Sequence, residues 1–257
     1  MGQLRQILKS TLNGLLPRSL FPTQGRELRS GSAIGNASGP AVSLTFDDGP
    51  HPEHTPALLD KLEAAGIVAT FFIVGERAEK HPSLVQRIAR AGHEIGNHTW
   101  THSEPRQTST STFLAELQRT RAFLEDLTGE PCRVLRPPKG ELSPGKLFGL
   151  LKTKQPIVLW NHDTKDYAMT DPAEIGRWVA EYPPQHGDIV LMHDVHPFAV
   201  NAVDLMGKFR AYRDVRFRKV SDWLPGGHTP FNAEPQATAL DQTERPRCAE
   251  PAPAAGR

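Results

Sequence analysis

Thr45-Phe46-Asp47-Asp48-Gly49-Pro50 closes a segment, Ala41 to Phe46, in which apolar and small polar residues alternate, with Val42, Leu44 and Phe46 on one face. Period-2 alternation predicts a strand, and Gly49-Pro50 stops it. Two adjacent carboxylates are thus held at a strand end. Like charges this close repel, so both stay ionised only beside a cation, a metal or hydrogen-bond donors. Neighbours on an extended chain point different ways, so one Asp can bind a metal while the other handles a proton. Taken alone, the hexapeptide reads equally well as a solvated turn.

Working outward, strands and helices alternate. Thr55 reads as the N-cap of a helix with Leu58, Leu59 and Leu62 on one face and Gly66 as its stop. Ala69 to Val74 reads as a buried strand, Pro82 to Ala91 as a helix, and Glu94-Ile95-Gly96 as a short strand. A long amphipathic helix covers about Thr112 to Thr128, and Ser143-Pro144 starts a short one. Pro156 to Trp160 and Asp188 to Met192 read as strands. Asp171-Pro172 with Glu174 opens a helix as a capping box. Val200 to Tyr212 reads as a helix and Val215 to Val220 as a last strand. The alternation predicts an α/β fold, a distorted (β/α) barrel of about seven parallel strands in one domain.

The 257 residues carry a formal net charge of +1, which gives no reason to expect nucleic acid or an acidic membrane surface as partner. Two cysteines, Cys132 and Cys248, make no disulfide framework. Residues 1–40 read as an amphipathic basic helix and linker, suited to packing on the domain or to weak contact with a membrane surface. Lys9, Ser10, Thr11 and Asn13 interrupt any secretory apolar run there. Without a signal peptide or a spanning segment, a cytoplasmic location is expected. Residues 41–225 form the expected catalytic domain. Residues 226–257, rich in Pro, Ala, Thr and Glu, read as a disordered tail.

The polar clusters fall just after the strands, and in a barrel these positions gather on one rim. His98 and His102, four apart, would share a face if the chain makes a helical turn there. With one carboxylate they form a two-His-one-carboxylate set that keeps open positions for water and substrate. His-Thr-Trp-Thr-His carries no glutamate, so a base must come from Asp47 or Asp48. Arg136, beside Pro137, Pro138 and Gly140, could hold a carboxylate ionised. His193 could act as a general acid, with Leu191 on its face as an apolar wall, and Asp163 and Asp166 could orient His193 or Arg136. A non-haem iron site presents the same ligand types but leaves Asp47, Arg136 and His193 without a task.

Together these clusters resemble the polysaccharide deacetylase family, carbohydrate esterase family 4, over about Ala41 to Leu224. Thr45 to Pro50 matches its first motif and His98 to His102 its second. Arg136-Pro137-Pro138-Lys139-Gly140 matches the third with Lys139 where Tyr is usual. Asp163 to Tyr167 resembles the fourth with Tyr167 where Trp is usual, and Leu191-Met192-His193 matches the fifth. The resemblance implies a divalent metal, most often zinc (cobalt, nickel and manganese being alternatives), on Asp48, His98 and His102. It implies Asp47 as base, His193 as acid, Arg136 orienting Asp47 and Asp166 tuning His193. Leu191, Tyr167 and Lys139 would line the pocket, and the backbone N–H of Lys139 would join the oxyanion hole. The implied reaction is metal-dependent removal of N-acetyl groups from a poly- or oligosaccharide. Hydrolysis of a small linear or cyclic amide, and a catalytically silent carbohydrate binder, are the rival readings.

Overall fold

The computed structural model describes residues 39–153 and 155–224. The segment preceding Gly39 and the tail following Leu224 lie outside the described residues, and with them the expected N-terminal helix and the expected disordered tail.

The strands are β1 (Ala41–Asp47), β2 (Thr70–Ile73), β3 (Glu94–Asn97), β4 (His162–Asp163), β5 (Asp188–His193) and β6 (Arg216–Phe217). The helices are α1 (His54–Ala65), α2 (Gly75–Lys80), α3 (Pro82–Arg90), α4 (Thr110–Thr128), α5 (Pro144–Thr153), α6 (Pro172–Glu181) and α7 (Pro197–Lys208). All strand pairings are parallel, in the order β3-β2-β1-β5-β4, and β6 lies beside the first two residues of β1. Bridges from Asn97 to Leu135 and from Leu135 to Ile157 join β3 to the segment that continues into β4. The sheet therefore closes on itself. Counting the stave at Leu135, seven strands are present among the described residues, three of them reduced: β4 and β6 to a residue pair and Leu135 to a single bridge.

All seven residues of β1 are buried, because it lies at the centre of the sheet. Its alternation separates two environments. Val42, Leu44 and Phe46 pack outward with Phe71, Val190 and Met192 against Leu58, Leu62 and Val203 of the helices. Each such side chain removed from water contributes about 1.5–3 kcal/mol. Ser43, Thr45 and Asp47 point the other way, into a barrel interior filled by Phe72, Val134, Val158, Trp160, Ile189 and Leu191. The small polar face of β1 thus leads along the barrel interior to its carboxyl rim.

Several local expectations change. Thr55 is not a cap: α1 begins at His54 without a side-chain cap, and Gly66 ends it at φ 64°. The Thr55 hydroxyl instead accepts from His51 N (2.7 Å) and donates to Asp194 Oδ2 (2.6 Å). The Pro156–Trp160 strand is a single bridge, and its paired residues come later, at His162 and Asp163. The helix expected over Val200–Tyr212 starts earlier and ends at Lys208, where Phe209 turns extended before a 3-10 turn at Arg210–Tyr212. The expected last strand contracts to Arg216–Phe217. The Asp171–Glu174 capping box is formed as read.

Candidate active site

The carboxyl ends of β1, β3 and β5, with the turn after Leu135, bring the sequence motifs to one rim. Asp47 ends β1 and is buried. Arg136, fully buried, donates through Nη1 to Asp47 Oδ1 (2.7 Å) and to Thr45 Oγ1 (2.8 Å). Its Nε donates to Val158 O (3.2 Å), and its guanidinium lies 4.2 Å from the centre of the Phe72 ring. The carboxylate is therefore fixed by a cation that itself cannot turn.

Asp48 faces the other way. Its backbone is left-handed (φ 74°), which turns its carboxylate away from that of Asp47. Asp48 Oδ1 lies 3.3 Å from His98 Nε2 and 3.2 Å from His102 Nε2. The expected helical turn between the two histidines is absent. His98 to His102 is an irregular loop in which Thr99 (φ 66°) and His102 (φ 54°) are left-handed, and these bends, not helical periodicity, converge the imidazoles. Burial opposes ionisation of Asp48, but the neighbouring imidazoles of His98, His102 and His193 outweigh it and hold the carboxyl well below the usual range. Burial also works against a charged His98, and the carboxylates of Asp47 and Asp48 override it, raising its pKa. At His102 burial prevails and the pKa falls.

The donor set fits a divalent cation. One ligand atom from each of Asp48, His98 and His102 lies within 4.8 Å of the others. His98 Nδ1 sits 2.7 Å from Arg136 O. A carbonyl only accepts, so Nδ1 carries the proton and Nε2 turns its lone pair toward Asp48 and His102.

His193, at the end of β5, is held twice by Asp166: Nδ1 to Oδ1 and backbone N to Oδ2, each 2.7 Å. Burial disfavours its charged form, but the bond and charge of Asp166, with Asp47 and Asp48 beyond, raise its pKa to about 9. Tyr167 stands edge-on to the His193 ring at 5.4 Å. Asp163 Oδ1 accepts from Lys165 N (3.0 Å) in the turn.

Asp47, Asp48, His98, His102 and His193 line a cleft of about 1030 Å³ together with Leu191, Tyr167, Lys139 and Trp160. Lys139 is left-handed (φ 56°) in the Pro138–Gly140 turn, and its ammonium pairs with Glu104 across the cleft wall. Next to it, Gly140 (φ 64°) packs so closely that a Cβ would meet the Trp160 ring at 3.0 Å.

Three supporting elements escape a motif reading. Glu116 of α4 accepts from Trp100 N (3.2 Å) and Thr101 N (3.1 Å) through Oε2, and from Thr101 Oγ1 (2.8 Å) through Oε1. Asn97 Oδ1 accepts from Thr99 N (2.9 Å). Asp194, buried behind Gly49, bonds Thr55 through Oδ2. Burial, helped by the charge of Asp48, lifts its carboxyl to about 7. Only the adjacency of Asn97 to His98 and of Asp194 to His193 hinted at any of these.

A polysaccharide deacetylase family model matches residues 34–152. A peptidoglycan-N-acetylglucosamine deacetylase of Bacillus cereus is 35% identical over 155 residues, 60% of this chain and 72% of the relative. A chitooligosaccharide deacetylase of Sinorhizobium fredii is 31% identical over 191 residues, 74% of this chain and 86% of the relative. The crystal structure of a peptidoglycan N-acetylglucosamine deacetylase superposes with a TM-score of 0.71 at 29% identity, covering 85% of this chain and 97% of the other. The chain spans less than half the length of other curated relatives it matches, 46% of a further Bacillus cereus protein of the same description and 34% of Listeria monocytogenes PgdA. On this likeness, carried along a barrel whose rim holds all five motifs, the chain belongs to the polysaccharide deacetylase family, carbohydrate esterase family 4.

Proposed function

We propose that residues 41–225 form a metal-dependent hydrolase that removes N-acetyl groups from amino sugars in a poly- or oligosaccharide, releasing acetate. One observation carries this reading. A carboxylate fixed by a buried arginine (Asp47–Arg136) and an imidazole fixed by a buried carboxylate (His193–Asp166) share one cleft with the Asp48, His98 and His102 set. A silent binder has no use for a base and an acid so held.

Asp48, His98 and His102 would hold the cation, with zinc best suited to nitrogen and carboxylate donors and cobalt, nickel or manganese as substitutes. Bound there, it would supply Lewis-acid polarisation of the amide carbonyl and a lowered pKa for water. Asp47 accepts a proton from the attacking water, its carboxylate held and aimed by Arg136. The backbone N–H of Lys139 donates to the developing oxyanion, a contribution of roughly 3 kcal/mol for such a donor. His193 delivers a proton to the leaving amine nitrogen, a step typically worth ~10²–10⁴-fold. Leu191 walls the acetyl methyl, and Tyr167 offers its ring face at the mouth. The products are acetate and a free amino sugar. A cleft of about 1030 Å³ suits a glycan chain better than a small amide.

Acetate release from N-acetylglucosamine oligomers, with and without chelator and beside Asp47→Asn, tests this. Release that requires metal and disappears in the variant is the expected result. Tight metal binding without release from these oligomers or from peptidoglycan would count against glycan deacetylation.

A further inference from the structure

We propose that the amino-terminal end of the barrel, opposite the cleft, is a docking face for an anionic phospholipid bilayer, built from the cations between Lys208 and Lys219. The net charge of +1 hides an uneven distribution. Residues 208–219 hold six basic residues (Lys208, Arg210, Arg213, Arg216, Arg218 and Lys219) and one acidic residue, Asp214.

Their place in the fold makes the run a face. Lys208 closes α7, whose carboxyl end lies where the strands begin. β6 pairs with Ala41 and Val42, the start of β1, and Arg218 N donates to Val42 O (2.9 Å). The cleft groups sit at the other end of the same strand, seven residues or roughly 20 Å away. The segment is rigidly presented: Tyr212 is buried with its hydroxyl on Val179 O (2.7 Å), and Val220 and Trp223 are buried beyond it. Lys208, Arg210 and Arg213 are exposed. Among the described residues, Lys208 pairs with Asp204, while Arg210, Arg213, Arg218 and Lys219 have no carboxylate within ion-pair distance.

A second observation points to a bilayer and not to another polyanion. The chain enters the described body at this same end, where Arg216 N donates to Pro40 O (2.9 Å). The 38 residues before Gly39 carry five basic residues and one acidic residue, with Leu4, Ile7, Leu8, Leu12, Leu15 and Leu16 interspersed. Apolar residues among cations suit a surface with anionic headgroups above an acyl phase, whereas a nucleic acid offers nothing for them to enter. Docking by this end would leave the cleft facing away from the membrane, toward glycan extending from it.

The test is co-sedimentation of the full chain with vesicles of phosphatidylcholine alone and of equimolar phosphatidylcholine and phosphatidylglycerol, at low and high salt. Each surface cation contributes about fivefold to partitioning. The wild-type chain is expected to bind only the anionic vesicles, and less at high salt. Arg210→Gln/Arg213→Gln/Arg218→Gln is expected to bind on the order of 100-fold more weakly while keeping the wild-type unfolding temperature and acetate release. Should the triple variant fold poorly, Arg210→Gln alone, at an exposed position, should lose about fivefold. Unchanged partitioning of the variants would overturn the proposal, as would equal binding to neutral vesicles, or binding to duplex DNA without binding to vesicles. Because partitioning is read without turnover, a failed deacetylase assay leaves this result standing.

Discussion

Arg136 Nη1 lies 2.7 Å from Asp47 Oδ1, and neither side chain has meaningful contact with solvent. A buried pair of this kind contributes little net stability as a pair, but removing one partner strands the other charge at a cost of about 3–5 kcal/mol. Arg136→Met should therefore destabilise the chain by that amount in urea denaturation. Adding Asp47→Asn to Arg136→Met should restore part of the loss, because no charge is then stranded. A double variant no more stable than Arg136→Met would show that the arginine is required for packing on Phe72 and not for charge.

The Asp166–His193 pair predicts a pH effect with a defined sign. His193 is raised from 6.5 to about 9, with the bond and charge of Asp166 opposing burial. Its charged form therefore stabilises the fold below about pH 6.5, and that contribution is lost as pH rises through about 9. In Asp166→Asn both supports weaken while burial remains. The alkaline limb of kcat/KM should move down by at least about one pH unit, in step with the NMR titration of His193. An unmoved limb would assign the alkaline ionisation to another group.

How much of this was legible in the sequence depends on what each feature needs. The Val42-Leu44-Phe46 alternation and the motifs after each strand could be read because period and strand-end position are local properties. The means of convergence could not. Spacing placed His98 and His102 on a helical turn, yet left-handed residues at Thr99 and His102 bring them together. Thr55 has the composition of a cap but serves Asp194, 139 residues away. Glu116 lies 15 and 16 residues beyond the loop it anchors, with no periodicity linking them. Such pairings arise only when the barrel closes.

Glu116 should govern metal affinity more than stability. Its three hydrogen bonds fix Trp100 and Thr101 inside the loop that carries His98 and His102. Outer partners of this kind typically account for 10–100-fold in metal affinity. Glu116→Ala should lower zinc affinity by that factor in competition titrations, with an apo unfolding temperature close to wild type. Glu116→Gln retains one acceptor oxygen and should recover part of the loss. Equal affinities in all three proteins would show that the loop holds its shape through Asn97 and Thr99 alone.

Gly49 and Asp194 should be energetically coupled. A Cβ at Gly49 would collide with both carboxyl oxygens of the buried Asp194, whose Oδ2 is tied to Thr55. Gly49→Ala therefore forces overpacking worth about 1–3 kcal/mol, at the residue following Asp48, and should weaken metal binding as well. In an Asp194→Ala background that space is vacant. Alanine at position 49 should then cost less, with a coupling of about 0.5–3 kcal/mol in the double-mutant cycle. The same carboxyl has a pH signature. Burial raises it from 3.8 to about 7, so the folded state holds the proton more tightly, and this contribution to stability is lost as pH rises from about 4 through 7. Asp194→Ala should remove that slope from the stability–pH curve. Additive costs at the two positions, with an unchanged slope, would mean that the carboxyl moves aside without penalty and does not brace the Asp48 turn.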